Sequence, residues 1–189
     1  DDEVDEFVLM QEAAKYYANI LMPFSKLFLR KLEEIQSLGW EIDMIAPSHG
    51  IIWRANPQKI VDAHLRWTKG DAGSRALVLY DTMWGSTEKM ARAIIEGLKS
   101  KDVDARLYKM SVSDRTEIIA EILEAKAIVL GSSTFNNDYL PSLSPILDEI
   151  QGLKPTNRIG LAFGSYGWRT YSVPRLEEVL KKSGIEIAA

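Results

Sequence analysis

Apolar side chains recur at helical spacing over the first part of the chain. Across residues 7–39 they return every three or four positions, which is typical of helices with one buried face. Pro23 interrupts this run, so two consecutive helices or one kinked helix are expected, and Gly39 is expected to cap the end. A short strand is predicted at residues 42–46, followed by a helix over residues 57–67 that opens on a proline.

From residue 75 onward the pattern changes to short apolar runs that alternate with helical segments. Alternating strands and helices indicate an α/β fold with a doubly wound parallel sheet. Residues 69–74 are small, polar and glycine-rich, so they are predicted to link residues 1–68 to a sheet domain at 75–189. The predicted strands are 76–80, 104–109, 127–131, 158–163 and a fifth that begins at 184, and the predicted helices are 88–99, 114–124, one that begins at Pro141 or Pro145 and ends at Ile150, and 173–182.

The overall composition narrows the classes of function. The sequence of 189 residues has 46% apolar and 26% charged residues, as globular domains do. Its formal charge of −4 gives no electrostatic reason to expect nucleic acid or an anionic membrane as a partner. Cysteine does not occur, which excludes disulfides, thiolate metal sites and thiol catalysis. Because no apolar run approaches transmembrane length, a cytoplasmic location is expected.

The segment that follows the first predicted strand of the sheet has the chemistry of a phosphate site. It offers the hydroxyls of Thr82, Ser86 and Thr87 beside Gly85, and it contains no lysine or arginine. A loop between a strand and a helix N-terminus also gathers unpaired backbone N–H groups and the positive end of the helix dipole. This combination suits one phosphate monoester held by neutral hydrogen bonds. The same residues also fit a capped strand–helix turn that binds no ligand.

Two other phosphate-binding motifs fit this loop badly. A nucleotide-hydrolase loop needs Gly-Lys and then Ser or Thr after a four-residue spacer, and the loop has no such lysine. A dinucleotide fingerprint needs three spaced glycines, and only Gly85 is present.

Two further polar loops follow the third and fourth predicted strands of the sheet. The loop at 132–139 carries hydroxyls and amides, and the loop at 164–171 carries Tyr166 and Trp168 beside two glycines. Since parallel strands end at one edge, all three loops are expected to meet where open α/β sheets bind ligands. Aromatic side chains flanked by glycines suit a flat heteroaromatic ring. Phosphate, polyol and flat ring together describe flavin mononucleotide, FMN.

Histidine occurs twice in the sequence. His49 follows the predicted strand 42–46, at a position where sheet enzymes place ligands and catalytic groups. A lone histidine is nevertheless more often structural, because metal sites need three or four ligands. His64 lies on the predicted helix 57–67 and is expected on its surface.

Residues from about 74 onward resemble the flavodoxins, whose phosphate loop has the form Thr-x-x-Gly-x-Thr, matched by Thr82, Gly85 and Thr87. The resemblance implies that FMN binds with its phosphate at the first loop, its ribityl chain along the second, and its isoalloxazine at the third, where Trp168 would stack. The implied contacts are Thr82, Met83, Trp84, Gly85, Ser86, Thr87, Ser133, Thr134, Phe135, Asn136, Asn137, Ser165, Tyr166, Gly167 and Trp168.

Nearly the whole chain is similar to the flavodiiron proteins, in which a metallo-β-lactamase-like domain precedes a flavodoxin-like domain. Residues 44–53 (MIAPSHGIIW) and 80–87 (YDTMWGST) look like that family in the same order and separation, and residues 14–24 are similar too. The resemblance implies an oxidoreductase in which FMN passes electrons to a non-haem diiron centre that reduces O2 to water or NO to N2O. It makes His49 an iron ligand and implies a head-to-tail homodimer. Reduced rubredoxin, a deazaflavin or a pyridine-nucleotide-linked reductase would be compatible electron donors.

The chain departs from this family in the ligands that it lacks. The His-x-Glu-x-Asp-His cluster, a further histidine and a bridging aspartate are absent, so residues 1–68 are expected to be the last part of a lactamase-like domain. The helix that closes a flavodoxin after its fifth strand is missing as well, so a fragment cut at both ends is expected. One histidine cannot hold two irons, so the chain alone is expected to bind FMN without catalytic residues for diiron chemistry. A flavodoxin-like electron carrier fused to a helical interaction segment, and an FMN-dependent quinone reductase, are the alternatives.

Overall fold

A computed structural model describes residues 1–188, and its first part is helical as predicted. Between the first two helices the chain passes through a π-helical turn, Tyr17–Leu21, and a 3-10 turn, Met22–Phe24. Pro23 lies in the second turn, where its ring and missing N–H prevent a regular helical bond, so the predicted interruption is confirmed. The three helices are α1 (Glu6–Tyr16), α2 (Ser25–Ser37) and α3 (Pro57–Lys69).

Local side chains and a glycine set where these helices begin and end. Asp5 caps α1 by accepting a hydrogen bond from the N–H of Val8 at 2.9 Å, and Asn56 caps α3 in the same way. Gly70 ends α3 with a φ of +68°, a conformation that favours glycine. A Cβ at this position would lie 2.6 Å from the carbonyl oxygen of Thr156, so α3 can end this close to the sheet only on a glycine.

The predicted strand at 42–46 is wrong. Within the described chain only Ile45 pairs there, as an isolated antiparallel bridge to Trp53 with two backbone hydrogen bonds of 2.9 Å. A strand needs a neighbour that satisfies its backbone, and apolar composition does not supply one. Ile42 and Met44 are exposed as a result.

Residues 75–188 form a five-stranded parallel sheet in the order β2-β1-β3-β4-β5, which confirms the predicted doubly wound α/β fold. The strands are β1 (Arg75–Tyr80), β2 (Ala105–Lys109), β3 (Ala125–Ser133), β4 (Ile159–Ser165) and β5 (Glu186–Ile187). The helices between them are α4 (Ser86–Lys99), α5 (Arg115–Ile122), α6 (Ser144–Leu153, preceded by a 3-10 turn at Pro141–Leu143) and α7 (Ser172–Lys182).

Side chains of the central strands alternate between two apolar layers, because successive residues of a strand point to opposite faces. Leu77 and Leu79 of β1 belong to the larger core, together with buried side chains of α5, α6 and α7. Val78 and Tyr80 belong to a smaller cluster with Ala91 of α4. Helices therefore cover both faces of the sheet, which explains the nearly unbroken apolar runs of β1 and β3.

The N-terminal helices pack directly against the sheet domain through α5. Tyr17 is fully buried in the larger core, Lys15 forms an ion pair with Glu117, and Asn19 donates a hydrogen bond to the carbonyl of Thr116 at 3.2 Å.

Candidate cofactor site

The three polar loops meet at the carboxyl edge of the sheet and line one cleft of about 660 Å³, as the sequence predicted. A cleft of this volume is within the range of cofactor sites. Among the predicted contacts, Thr82, Gly85 and Thr87 do not line it. The predicted residues that do are Met83, Trp84, Ser86, Ser133, Thr134, Phe135, Asn136, Asn137, Ser165, Tyr166, Gly167 and Trp168.

The first loop leads into an α4 N-terminus that no side chain caps. Gly85 takes a φ of +84° at the helix start, and its N–H donates to the Thr82 hydroxyl at 3.0 Å. Thr82 is itself fixed, because its N–H donates to the carboxylate of Asp81 at 2.8 Å. The first N–H groups of α4 thus stay available to a ligand, together with the positive end of the helix dipole.

A negative side chain in the first turn of α4 is neutralised within the helix. Glu88 pairs with Arg92 at 2.7 Å, and the hydrogen bond from Arg92 lowers the pKa of the Glu88 carboxyl. A cation on the same helix therefore balances the negative charge of this carboxylate.

A cluster of hydroxyls ties the three loops together below the cleft. The Thr87 hydroxyl lies 2.9 Å from the hydroxyls of both Ser133 and Ser165, which are 3.2 Å from each other. Thr87 is fully buried, so its side chain joins the loops from beneath. The three residues come from α4, β3 and β4, and their contacts set the spacing between the loops.

The second loop contains a tight hairpin. Phe135 and Asp138 exchange two backbone hydrogen bonds of 2.9 Å, and the two central residues, Asn136 and Asn137, have φ values of +48° and +61°. Left-handed conformations at both central positions are those of a type I′ turn, which asparagine tolerates better than most residues. The turn presents Phe135 and both amides to the cleft.

The Thr134 hydroxyl and a close backbone approach help to bind the third loop to the second. The Thr134 hydroxyl accepts from the N–H groups of Tyr171 at 3.2 Å and Ser172 at 3.3 Å. A Cβ at Gly164 would overlap the carbonyl oxygen of Ser132 and lie 2.8 Å from the Ser172 hydroxyl. Glycine is needed here because a side chain would force the two loops apart.

Exposed aromatic side chains mark the mouth of the cleft. Trp168 is 94% exposed, Trp84 is 89% exposed and Tyr166 is 58% exposed. Indole rings of this size are usually covered, so their exposure around one cleft fits a flat ligand that would cover them.

Sequence reasoning missed two lining residues, Arg169 and Tyr171. Both lie in the loop 164–171, in which the prediction names only Ser165, Tyr166, Gly167 and Trp168 as contacts. The guanidinium carbon of Arg169 is 5.0 Å from the centroid of the Tyr171 ring. The sequence signal that would have found them is a cation and a further aromatic residue within the same loop.

Among the side chains that the structure describes, neither histidine belongs to a cluster that could hold a metal ion. Residues 1–188 hold no group of three or more His, Cys, Asp or Glu side chains arranged for a metal ion. His49 is exposed on a loop, 5.9 Å from the ring centroid of Tyr16. The surface position predicted for His64 is wrong, because its ring is half-buried and stacks on Phe28 at 4.9 Å; burial lowers the pKa of this imidazole.

Comparisons with known proteins agree with this architecture. The sequence model of the flavodoxin family matches residues 78–189. All of the chain aligns, at 54% identity, with a nitric oxide reductase from Moorella thermoacetica, of which it covers 47%. The fold matches the rubredoxin oxygen:oxidoreductase from Desulfovibrio gigas with a TM-score of 0.95 at 34% identity, and the flavodiiron protein from Giardia intestinalis with a TM-score of 0.87 at 30% identity. Each match covers 100% of this chain and 48% of the solved chain, so the chain spans about half the length of its relatives.

The five-stranded parallel sheet and its three-loop cleft are those of a flavodoxin-like domain. The chain belongs to the flavodoxin family through residues 78–189, and over its whole length it is similar to solved flavodiiron proteins. FMN is the cofactor of the flavodoxin domain, and the cation-free loop at an uncapped helix N-terminus fits its phosphate. Over residues 1–188, no helix has both the length and the apolar character that crossing a bilayer requires.

Proposed function

We propose that this chain is the FMN-binding, electron-transferring part of a flavodiiron oxidoreductase that reduces O2 to water or NO to N2O at a non-haem diiron site. The observation that carries this proposal is the convergence of three loops on one cleft beside an uncapped helix N-terminus. When bound, FMN supplies reversible electron transfer. The residues of the chain would bind the cofactor and orient it.

The phosphate group is proposed to bind at the start of α4. Backbone N–H groups at Met83, Trp84, Ser86 and Thr87, with the hydroxyls of Ser86 and Thr82, would donate hydrogen bonds to the phosphate oxygens. No lysine or arginine lies in residues 81–87, so the helix dipole and neutral donors would hold the dianion.

The ribityl chain and the ring are proposed to lie along the second and third loops. Hydroxyls and amides from Ser133 to Asn137 match the ribityl hydroxyls, and Tyr166 and Trp168 match the flat face of the isoalloxazine. Trp168 is our candidate for the stacking residue because its indole is almost wholly exposed beside the cleft.

Iron chemistry is proposed to need more protein than this chain. His49 is proposed as one iron ligand, and the remaining ligands would come from residues outside the described chain. We propose the division into residues 1–68 as the end of a metallo-β-lactamase-like domain, 69–74 as a linker and 75–189 as the FMN domain. A cytoplasmic homodimer packed head to tail, with rubredoxin, a deazaflavin or a reductase as electron donor, completes the proposal.

A second candidate is an electron carrier that uses FMN without iron. It is favoured by one observation, the lack of any metal-type cluster within residues 1–188. Iron analysis of the full-length protein as isolated separates the two candidates, since the chain by itself is expected to hold no diiron centre under either one. About two irons per chain, the content of a diiron site, support the oxidoreductase, and flavin without iron supports the carrier.

The phosphate site is tested with a charge placed at the start of α4. Ser86→Asp adds a negative side chain beside the phosphate and is expected to lower FMN affinity at least ~30-fold, because like charges repel in a partly dehydrated site. Ser100→Asp, at the other end of the same helix, is the matched control and should leave FMN affinity unchanged. Equal affinities for FMN in both variants would reject this position for the phosphate.

A further inference from the structure

The third loop carries a charge that the FMN arrangement above does not use. Arg169 is the one cationic side chain among the described residues that line the cleft. Its guanidinium lies over the ring of Tyr171, at a cation–π distance. No carboxylate of residues 1–188 comes within ion-pair distance of it. The charge is therefore held in place without being neutralised.

The other side chains that line the cleft are hydroxyls, amides, aromatic rings and a thioether, all of them uncharged. A single cation in neutral surroundings favours a ligand that carries negative charge near it. FMN has two places for such charge. Its phosphate is anionic at all times, whereas the isoalloxazine gains negative charge only on reduction.

The position of Arg169 in the fold indicates which of these two parts of FMN it would lie near. The phosphate loop follows β1 and Arg169 follows β4, and β3 lies between them. The ends of β1 and β4 are thus about two strand spacings apart, ~10 Å. Arg169 is next to Trp168, the candidate stacking residue, and its partner Tyr171 is anchored to the second loop through Thr134. The cation is therefore placed on the ring side of the cleft.

We propose that Arg169 stabilises the negative charge of two-electron-reduced FMN, so that the cleft binds the reduced cofactor more tightly than the oxidised one. This inference rests on the proposed function, since it assumes that FMN occupies the cleft. Reduction adds two electrons and one proton to the neutral ring and leaves one negative charge shared by N1 and the C2 carbonyl oxygen. A guanidinium can donate to both atoms at once. The electrons come from an external reductant, which is dithionite in the test below.

The test compares Arg169→Gln with the unaltered chain under anaerobic conditions. Fluorescence titration gives the Kd of oxidised FMN, and reduction with dithionite against redox dyes gives the two-electron midpoint potential of the bound cofactor. Arg169→Gln is expected to weaken the binding of reduced FMN ~10-fold more than the binding of oxidised FMN, which lowers the midpoint potential by about 30 mV.

Two further variants control for charge and for surface mutation. Arg169→Lys keeps the charge but loses the two-pronged geometry, so its midpoint potential should lie between those of the unaltered chain and Arg169→Gln. Arg175→Gln removes a cation that pairs with Glu178 on α7 outside the cleft, and should change nothing.

Three results would overturn the inference. A midpoint potential that is the same in Arg169→Gln as in Arg175→Gln would show that Arg169 does not face the ring. An equal loss of affinity for oxidised and reduced FMN, absent with riboflavin, would place Arg169 on the phosphate and leave the proposed function intact. Failure of the unaltered chain to bind FMN would overturn the proposed function, and the inference with it.

Discussion

The two ends of the sheet are built from different chemistry. At the carboxyl ends of the strands, Thr87, Ser133 and Ser165 join the loops through neutral hydroxyls, and the cleft stays open. At the amino ends, Arg158 and Arg75 hold the chain together, and the structure there is closed. The difference shows that strong charged contacts stabilise one end, whereas weaker neutral contacts leave the other end free for a ligand.

Arg158 is the clearest example of the closed end. The residue is 4% exposed, and its guanidinium donates to the carbonyls of Gly70 at 2.7 Å, Leu123 at 3.0 Å and Ile122 at 3.2 Å. Burial lowers the pKa of this side chain, and no carboxylate of the described chain pairs with it directly. Backbone carbonyls from the ends of α3 and α5 thus converge on one buried cation, which lies immediately before β4.

The largest effect is expected from Arg158→Met, which keeps the length of the side chain and removes its donors. The free energy of unfolding should fall by about 3 kcal/mol, because several buried carbonyls lose their partner. Urea unfolding measures the change. Arg115→Met, at an exposed pair with Glu149, is the control and should change stability by less than ~0.5 kcal/mol. Similar values for both variants would mean that the amino end does not depend on Arg158.

A steric change at the open end is expected to rank second. Gly164→Ala places a Cβ against the Ser132 carbonyl and the Ser172 hydroxyl, so it should lower the free energy of unfolding by about 2 kcal/mol and weaken FMN binding. Gly167→Ala in the same loop meets no atom within 4 Å and should be nearly neutral in stability. Unfolding of the two alanine variants at the same urea concentration would contradict the steric need for glycine at position 164.

The hydroxyl cluster is tested by Thr87→Val, which has a similar shape and no hydroxyl. Loss of its contacts with Ser133 and Ser165 should lower stability by about 1 kcal/mol and FMN affinity ~10-fold, because the loops lose their common partner. Thr68→Val removes a hydroxyl that donates to Leu65, outside the cleft, and should cost stability without changing the Kd of FMN. An unchanged Kd in Thr87→Val would separate the cluster from ligand binding.

The smallest effect is expected at a surface pair of the closed end. Arg75 donates to Asp104 at 2.6 Å, and this hydrogen bond lowers the pKa of the Asp104 carboxyl below its ordinary value of 3.8. The stabilisation by this pair is therefore complete above pH 3.8 and is lost as the pH falls through the lowered pKa of Asp104. Asp104→Asn should cost less than ~1 kcal/mol at pH 7, and the difference from the unaltered chain should shrink in acid. A difference that grows on acidification would contradict this assignment.

Sequence reasoning predicted the sheet well because its strands have a strong local signal. The apolar runs of β1 and β3 are visible without knowledge of any contact. The strand at 42–46 was wrong because strand formation depends on a partner elsewhere in the chain. His64 was placed on the surface because helical spacing does not reveal that Phe28 of α2 covers it.

For the site, the sequence predicts which loops meet but not which side chains of those loops line the cleft, and the reason is related. The positions of the strand ends in the sequence predict which loops meet, since all parallel strands end at one edge of the sheet. The direction of each loop side chain depends on contacts between loops, such as the hydrogen bonds from Tyr171 and Ser172 to Thr134. No periodicity in the sequence encodes those contacts, and Arg169 was overlooked for that reason.

The FMN site is tested most directly by fluorescence titration of the unaltered chain with FMN and with riboflavin. The two ligands share the ring and the ribityl chain, and only FMN carries the phosphate. One FMN should bind per chain, and the affinity for riboflavin should be lower by at least ~10-fold, because the start of α4 suits an anion. Equal affinities, or no binding of either ligand, would contradict the claim that this cleft is an FMN site.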